Sequence, residues 1–326
     1  MIPVSDSLET MGFHTMTDDR CRVTSITSRL ARCVLVVTER CNFACPYCRS
    51  HEGRHMPTDR AKATIRQWAG DELYAILFTG GEPTVHPDIV PLVRYAASLG
   101  VPHIGVATNG SATLSLYREL VDAGVNEFNI SLDTDNAADS AVLTGRSPSV
   151  WTDVVANIRA LSRMARVTIG FVIDEHNVSR AEPIIRFAMG LGVADIRLNP
   201  AAQFSALLPP IELDPESVAG YPNLSWRLRN GRRGVGVRGL GAGDAGRCWL
   251  VQDEMTVSGE WHYPCFIYMR EGGRPIGRFG PGVRQSRLEW LTSHSPQDDP
   301  ICRANCADCC SAFNRRYEEL QGADRG

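Results

Sequence analysis

From residue 33 to about 200, short apolar runs rich in Val and Ile alternate with longer stretches of helical pattern. The strand candidates are Cys33–Val37, Leu73–Thr79, Ile104–Thr108, Phe128–Leu132, Val167–Ile173 and Ile196–Leu198. Helices are predicted near 59–69, 87–99, 114–123, 150–163 and 180–191. Thr58 and Asp59 suit a helix cap, Pro87 a first turn, and Gly100 and Gly124 helix exits. Six strands alternating with helices predict a parallel sheet covered by helices, either open or curved into a barrel. In both arrangements chemistry collects at the carboxyl ends of the strands. Those positions carry Thr38-Glu39-Arg40-Cys41, Gly80-Gly81-Glu82-Pro83, Asn109-Gly110, Asp133 and Asp174-Glu175.

The rhythm is lost over 201–247, where Pro209, Pro210, Pro215 and Pro222 precede a Gly- and Arg-rich stretch. This part reads as a linker or loop. Its basic run, Arg227, Arg229, Arg232, Arg233 and Arg238, lacks interleaved aromatics and reads as a solvated face, with a phosphate or RNA site as the alternative. From Cys248 the pattern changes to short strands, a hairpin at Ser258-Gly259 and a Cys-rich tail. The expected organisation is an N-terminal extension over 1–32, a sheet-and-helix unit over 33–200, the linker, and a C-terminal unit over 248–326.

The chain has 326 residues and is 43% hydrophobic, enough for a substantial core. Its 34 Lys and Arg against 37 Asp and Glu give a net charge of −3, which speaks against a general nucleic-acid binder. The uncharged stretch from Tyr95 to Tyr117 is interrupted by Pro102, Asn109 and Gly110, so no membrane span is expected. No basic signal-like start precedes Asp6 and Glu9, and a cytoplasmic protein is the expectation. The anomaly is eleven cysteines, clustered near both ends. In a reducing compartment such clusters bind metal or perform chemistry more often than they form disulfides.

Cys41-Asn-Phe-Ala-Cys45-Pro-Tyr-Cys48 follows the first strand directly. Three thiolates on one short loop suit three corners of a cubic iron–sulfur cluster, leaving the fourth iron open to a ligand. The competing reading is tetrahedral zinc completed by His51 or His55. At the next strand end lies Gly80-Gly81-Glu82-Pro83. Adjacent glycines admit close backbone approach, and a carboxylate there suits an ammonium group.

With these two motifs at successive strand ends, the sequence resembles the radical S-adenosylmethionine (radical SAM) superfamily. The resemblance implies an α/β fold, a partial (β/α)6 TIM-like barrel with a small C-terminal Cys-rich β-hairpin/helix extension. It implies a [4Fe–4S] cluster whose open iron is chelated by S-adenosylmethionine (SAM), and cleavage of SAM to a 5′-deoxyadenosyl radical that abstracts a substrate hydrogen. By the same resemblance, Cys41, Cys45 and Cys48 would ligate that cluster and Tyr47 would lie against the adenine. Gly80, Gly81, Glu82 and Pro83 would hold the methionine amino end. Asn109 stands in the family's TNG position, Ser131 and Asp133 match its polar pair, and Val172 matches the strand flanking the adenine.

The C-terminal cysteines, with the hairpin between Cys248 and Cys265, resemble the superfamily's twitch or SPASM extension, implying one auxiliary [4Fe–4S] cluster. Two ligand sets stay open: Cys248, Cys265 and Cys306 with Cys309 or Cys310, or Cys265, Cys302, Cys306 and Cys310. The second set is the preferred expectation, because it frees Cys248 to give a hydrogen atom to a carbon radical. Structural zinc is the alternative for the tail. Cys21 and Cys33 read as buried thiols. His51, His55, His86 and His103 receive no role. Asp174, Glu175, Asp253, Glu254 and Glu260 at the mouth would suit a cationic, amine-bearing substrate.

The expected function is epimerisation of a carbinol carbon in an aminoglycoside-like sugar or aminocyclitol. The partners would be this small-molecule natural product and a flavodoxin- or ferredoxin-like electron donor. Alternatives are dehydrogenation of such a substrate, and crosslinking or epimerisation of a ribosomally made peptide. The 32 residues ahead of the first strand leave little for a peptide-leader domain. A reading outside catalysis is a zinc-stapled binding module.

Overall fold

A computed structural model describes residues 7–13, 15–48 and 53–323. Each predicted apolar run forms a strand: β1 (Arg32–Thr38), β2 (Ala75–Gly80), β3 (His103–Thr108), β4 (Glu127–Ser131), β5 (Arg166–Ile173) and β6 (Asp195–Pro200). All six are parallel and adjacent in chain order. Strands covered on both faces read as continuous apolar runs, and all seven residues of β1 are buried. The helices Thr58–Ala69, Ile89–Ser98, Leu114–Ala123, Pro148–Leu161 and Ala181–Met189 supply buried Ile65, Trp68, Leu92, Leu120, Ile158 and Ile185 to one core with the strands. The fold is the expected unclosed, barrel-like α/β sheet.

Local details differ. Thr58 begins its helix without capping it, and its hydroxyl donates to Asp88 instead. The second helix starts at Ile89, two residues beyond Pro87. A helix absent from the sequence reading, Ala137–Thr144, follows β4. Asn136 caps it by accepting from the Asp139 N–H at 2.9 Å. Of its side chains only Thr144 is buried, so it carries no apolar stripe for sequence patterning to detect.

The C-terminal hairpin is joined to the sheet, not detached from it. Strand β7 (Glu254–Ser258) pairs in parallel with the free edge of β1, Arg32 opposite Glu254 and Leu35 opposite Val257. Strands β8 (Trp261–Tyr263) and β9 (Gly277–Arg278) follow antiparallel, giving the order β6-β5-β4-β3-β2-β1-β7-β8-β9.

The expected linker also holds structure. Helix Pro222–Arg232 packs on β6 and buries Leu224, Trp226, Arg227 and Leu228. Arg227 is therefore not part of a solvated face: it is 2% exposed. Its guanidinium makes a fork to Asp308 at 2.8 and 3.1 Å and donates to Asn199 Oδ1 at 2.7 Å. The counter-ion lies 81 residues downstream, out of reach of any local sequence pattern. The N-terminal extension joins this region too. Leu8, Met11, Met16 and Cys21 pack with Trp226, Leu250, Phe313 and Tyr317 in a second apolar core. Asn223 Nδ2 donates to the Met11 carbonyl at 2.9 Å. Among the described residues no helix is long and apolar enough to cross a membrane.

The Arg227–Asp308 pair yields a stability expectation. Asp308→Ala leaves a buried guanidinium without its counter-ion and lowers unfolding free energy by about 3–5 kcal/mol in denaturant titration. A loss below about 1 kcal/mol would show that the pair is not what joins these elements.

Candidate active site

The end of β2 is built to receive the end of β1. Gly80 has φ +149°, and a Cβ on it would stand 1.9 Å from the Thr38 carbonyl oxygen; one on Gly81 would stand 2.3 Å from that of Arg40. This space is filled by backbone. The Gly81 N–H donates to Thr38 O and the Glu82 N–H to Arg40 O, both at 2.8 Å. Register between the strands shifts between Val36 and Thr38, just before the cysteine loop. The glycine pair thus seats the root of the loop that carries Cys41.

Two further strand ends grip the same loop. At β3, Asn109 Nδ2 donates to Asn42 Oδ1 at 2.8 Å. At β4, Asp133 accepts from the Tyr47 hydroxyl with one oxygen and from the Val172 N–H at 2.7 Å with the other. Burial pushes the Asp133 carboxyl up to about 6, against the pull of these two donors. The Ala44 N–H donates to Thr144 O at 3.0 Å, so the unforeseen helix holds the loop from a fourth side.

Glu82 is placed otherwise than expected. It is fully buried and is absent from the cavity wall. It accepts from the Thr84 hydroxyl at 2.6 Å, the Thr108 hydroxyl at 2.7 Å and the Asn109 N–H at 2.6 Å. Burial raises its carboxyl, and these donors oppose the rise. Its work is to tie the end of β2 to that of β3. Pro83, buried in the first turn of Pro83–Val85, is likewise off the wall.

Cys41, Cys45 and Cys48 all line one cavity of about 710 Å³, with Tyr47, Gly80, Gly81, Asn109, Ser131, Asp133 and Val172. Every predicted residue of the SAM site except Glu82 and Pro83 therefore meets there. Burial pushes the Cys41 thiol up and the Cys45 thiol to about 12, so both stay protonated without a bound cation. His51, the proposed zinc ligand, lies outside the described residues. His55, His86 and His103 are off the cavity wall, and His86 is held by the Met56 carbonyl at 2.9 Å. Three soft thiols on one loop, facing space for a small ligand, fit a cubic iron–sulfur cluster with one open corner.

A second, small cavity of about 30 Å³ lies under the C-terminal tail, lined by Cys248, Cys265, Cys302, Cys306 and Cys310. Burial pushes the Cys265 thiol up to about 12. His294, Asp299 and Cys302 present ligand atoms within 4.8 Å of one another at its edge. Five thiols around one enclosed space suit a second cluster. Cys248, expected free at the barrel mouth, is here instead, with Asn314 Nδ2 donating to its sulfur at 3.7 Å.

The C-terminal thiol that lines the barrel cavity is Cys309. Cys309 and Cys310 start the helix Asp308–Ala323; Cys309 lines the barrel cavity and Cys310 the C-terminal one, with their side chains in hydrogen-bond contact. The carboxylate expectation also fails. Asp253 pairs with Arg32 at 2.8 Å, Glu254 with Arg32 at 3.3 Å and Glu260 with Arg278 at 2.8 Å. Asp174 accepts from the His176 N–H at 2.9 Å, and neither it nor Glu175 lines the cavity. The wall carries Arg197, Asn199, Arg227, Arg238 and Arg270, together with the carboxylates of Glu39, Asp133 and Glu271. Arg197 and Asn199 were legible in principle: they alternate with Ile196 and Leu198 as the polar face of β6.

The glycine geometry gives a direct test. Gly81→Ala forces a methyl into the Arg40 carbonyl and displaces the cysteine loop. Iron reconstituted into the protein should fall by about four per chain while the circular dichroism spectrum is kept. Full iron retention would show that the loop is seated by other contacts.

Comparison with known proteins agrees with this geometry. The radical SAM superfamily profile matches residues 35–188. The GTP 3′,8-cyclase of Moorella thermoacetica is 31% identical over 236 residues, covering 62% of this chain and 71% of the relative. GTP 3′,8-cyclase 1 of Pseudomonas aeruginosa is 31% identical over 180 residues, and the match spans about half of each, 52% and 54%. In fold, Streptococcus suis SuiB bound to S-adenosylmethionine superposes with a TM-score of 0.56 at 14% identity, over 87% of this chain and 69% of that one. The chain belongs to the radical SAM superfamily of enzymes.

Proposed function

We propose that this enzyme epimerises a carbon centre of a small-molecule substrate held in the barrel cavity, with Cys309 as the hydrogen donor. The observation that carries the reading is that Cys309 lines the same cavity as Cys41, Cys45 and Cys48 while the other five C-terminal thiols do not. When bound, a [4Fe–4S] cluster and SAM supply a 5′-deoxyadenosyl radical that removes a hydrogen atom from the substrate. Cys41, Cys45 and Cys48 would hold the cluster. Tyr47, fixed by Asp133, and the exposed strand end at Ser131 would flank the nucleoside. Phe13, Val150, Trp151 and Val154 supply an apolar wall that keeps water from a carbon radical.

Cys309 then gives its S–H hydrogen to the substrate radical from the face opposite to the loss. The C–H bond formed inverts the centre, and a sulfur radical remains on Cys309. One electron from a flavodoxin- or ferredoxin-like donor and one proton from solvent restore the thiol. Over a turnover one SAM, two electrons and one proton give methionine and 5′-deoxyadenosine, and substrate and product are isomers.

The C-terminal cavity would hold the auxiliary [4Fe–4S] cluster, with Cys265, Cys302, Cys306 and Cys310 as ligands and Cys248 as the fifth thiol beside them. A second reading, cyclisation of a nucleotide, is favoured by the identity to GTP 3′,8-cyclases. Consumption of GTP in the presence of SAM and reductant separates it from the first.

Two outcomes are expected. In anaerobic reconstitution the wild type holds about eight irons, and Cys45→Ala holds about four and makes no 5′-deoxyadenosine. About four irons in the wild type would remove the auxiliary cluster. In deuterated water, product isomerised by the wild type gains one mass unit. Cys309→Ala still forms 5′-deoxyadenosine and keeps its iron, but yields no isomer. Isomer formation at wild-type rate by Cys309→Ala would exclude Cys309 as the donor, and loss of two mass units would identify a dehydrogenase.

A further inference from the structure

We infer that the substrate of this enzyme carries an oxyanion, a phosphate or carboxylate group, and that Arg197 is the residue that binds it. The inference rests on the reading that the barrel cavity holds the substrate, and it replaces the cationic substrate that the sequence suggested.

Arg197 differs from Arg227 and Arg238 in lacking a hydrogen-bonded partner, and from Arg270, which is exposed. Arg227 is paired with Asp308 at 2.8 Å, and Arg238 Nε donates to the Pro200 carbonyl at 3.1 Å. Arg197 makes no ion pair or hydrogen bond among the described residues, and its Nε is buried without a partner. Its guanidinium carbon lies 4.6 Å from the centre of the Phe13 ring, which offers a π face but no counter-ion. The nearest carboxylate on its own strand, Asp195, is occupied. It accepts from the N–H groups of Ile196 at 2.8 Å and Asn223 at 2.9 Å. Glu127, on β4, acts on Arg197 only through space.

A desolvated cation without a partner is costly, and a protein retains one where a ligand completes it. The planar fork of arginine matches two oxygens of a phosphate or carboxylate. Asn199, two residues along β6 and on the same wall, fixes the orientation of that face through its bond to Arg227. The oxyanion has two possible sources, the substrate and the carboxylate of SAM itself. Arg197 lies on β6, at the opposite end of the six parallel strands from the β1 loop and β2 glycines, which favours the substrate.

The test measures anaerobic binding of inorganic pyrophosphate and, separately, of SAM to the reconstituted enzyme by titration calorimetry. Wild type, Arg197→Gln and Arg197→Lys are compared. Arg197→Gln should weaken pyrophosphate binding by about 10- to 100-fold, with Arg197→Lys between. SAM affinity should be unchanged and the melting temperature of Arg197→Gln no lower than wild type. Pyrophosphate binding that is absent in the wild type, or equal in all three, overturns the inference while leaving the active-site reading intact. A parallel fall in SAM affinity assigns Arg197 to the SAM carboxylate and also overturns it. Failure of the wild type to bind SAM would remove the active-site reading itself, and this inference with it.

Discussion

The site depends on a steric constraint: the backbone of β1, as it leaves the sheet, runs through the space where side chains at positions 80 and 81 would begin. With any Cβ there, Thr38 and Arg40 could not bond to the backbone of β2. The cysteine loop therefore leaves the sheet at one angle, and the ends of β3 and β4 catch it through Asn42 and Tyr47. Each contact is an ordinary hydrogen bond. Together they fix three thiols on an otherwise irregular segment, which is how a loop comes to hold a metal cluster in one orientation.

A second constraint places the C-terminal thiols. The buried Arg227–Asp308 fork ties β6 and the helix behind it to the start of the final helix. Because Cys309 and Cys310 follow Asp308 directly, that ion pair sets where both sulfurs sit. Cys309 lines the barrel cavity and Cys310 the C-terminal cavity, and their side chains touch. The parallel pairing of β7 on β1 fixes the other side of the arrangement, since it carries Cys248 and Cys265 with it. The C-terminal cavity is thus attached to the sheet through Cys248 and Cys265, which flank the hairpin in the chain.

The strands were legible because a sheet buried on both faces writes itself as apolar runs, and the cysteine loop because its spacing is local. Roles that need a distant partner were not. Glu82 reads from sequence as a ligand-binding carboxylate, and its bonds to Thr108 and Asn109, which tie it behind the cavity wall, are not local enough to be read there. Arg227 reads as surface until Asp308 is brought to it. Cys248 reads as the spare thiol, since sequence order alone does not tell which of six cysteines faces which cavity; the helical phase of Cys309 against Cys310 was the available signal. The helix Ala137–Thr144 escaped because it buries almost nothing. The expectation of a cationic substrate counted carboxylates near strand ends without knowing that Arg32 and Arg278 had taken them.

The central claim is that the pinned loop holds a cluster with one corner free for SAM. The most direct measurement is electron paramagnetic resonance of the reduced, reconstituted enzyme with SAM labelled at its amino nitrogen. Hyperfine coupling of that nitrogen to a cluster signal that vanishes in Cys41→Ala is expected. A cluster signal from this loop that does not respond to SAM would contradict the account.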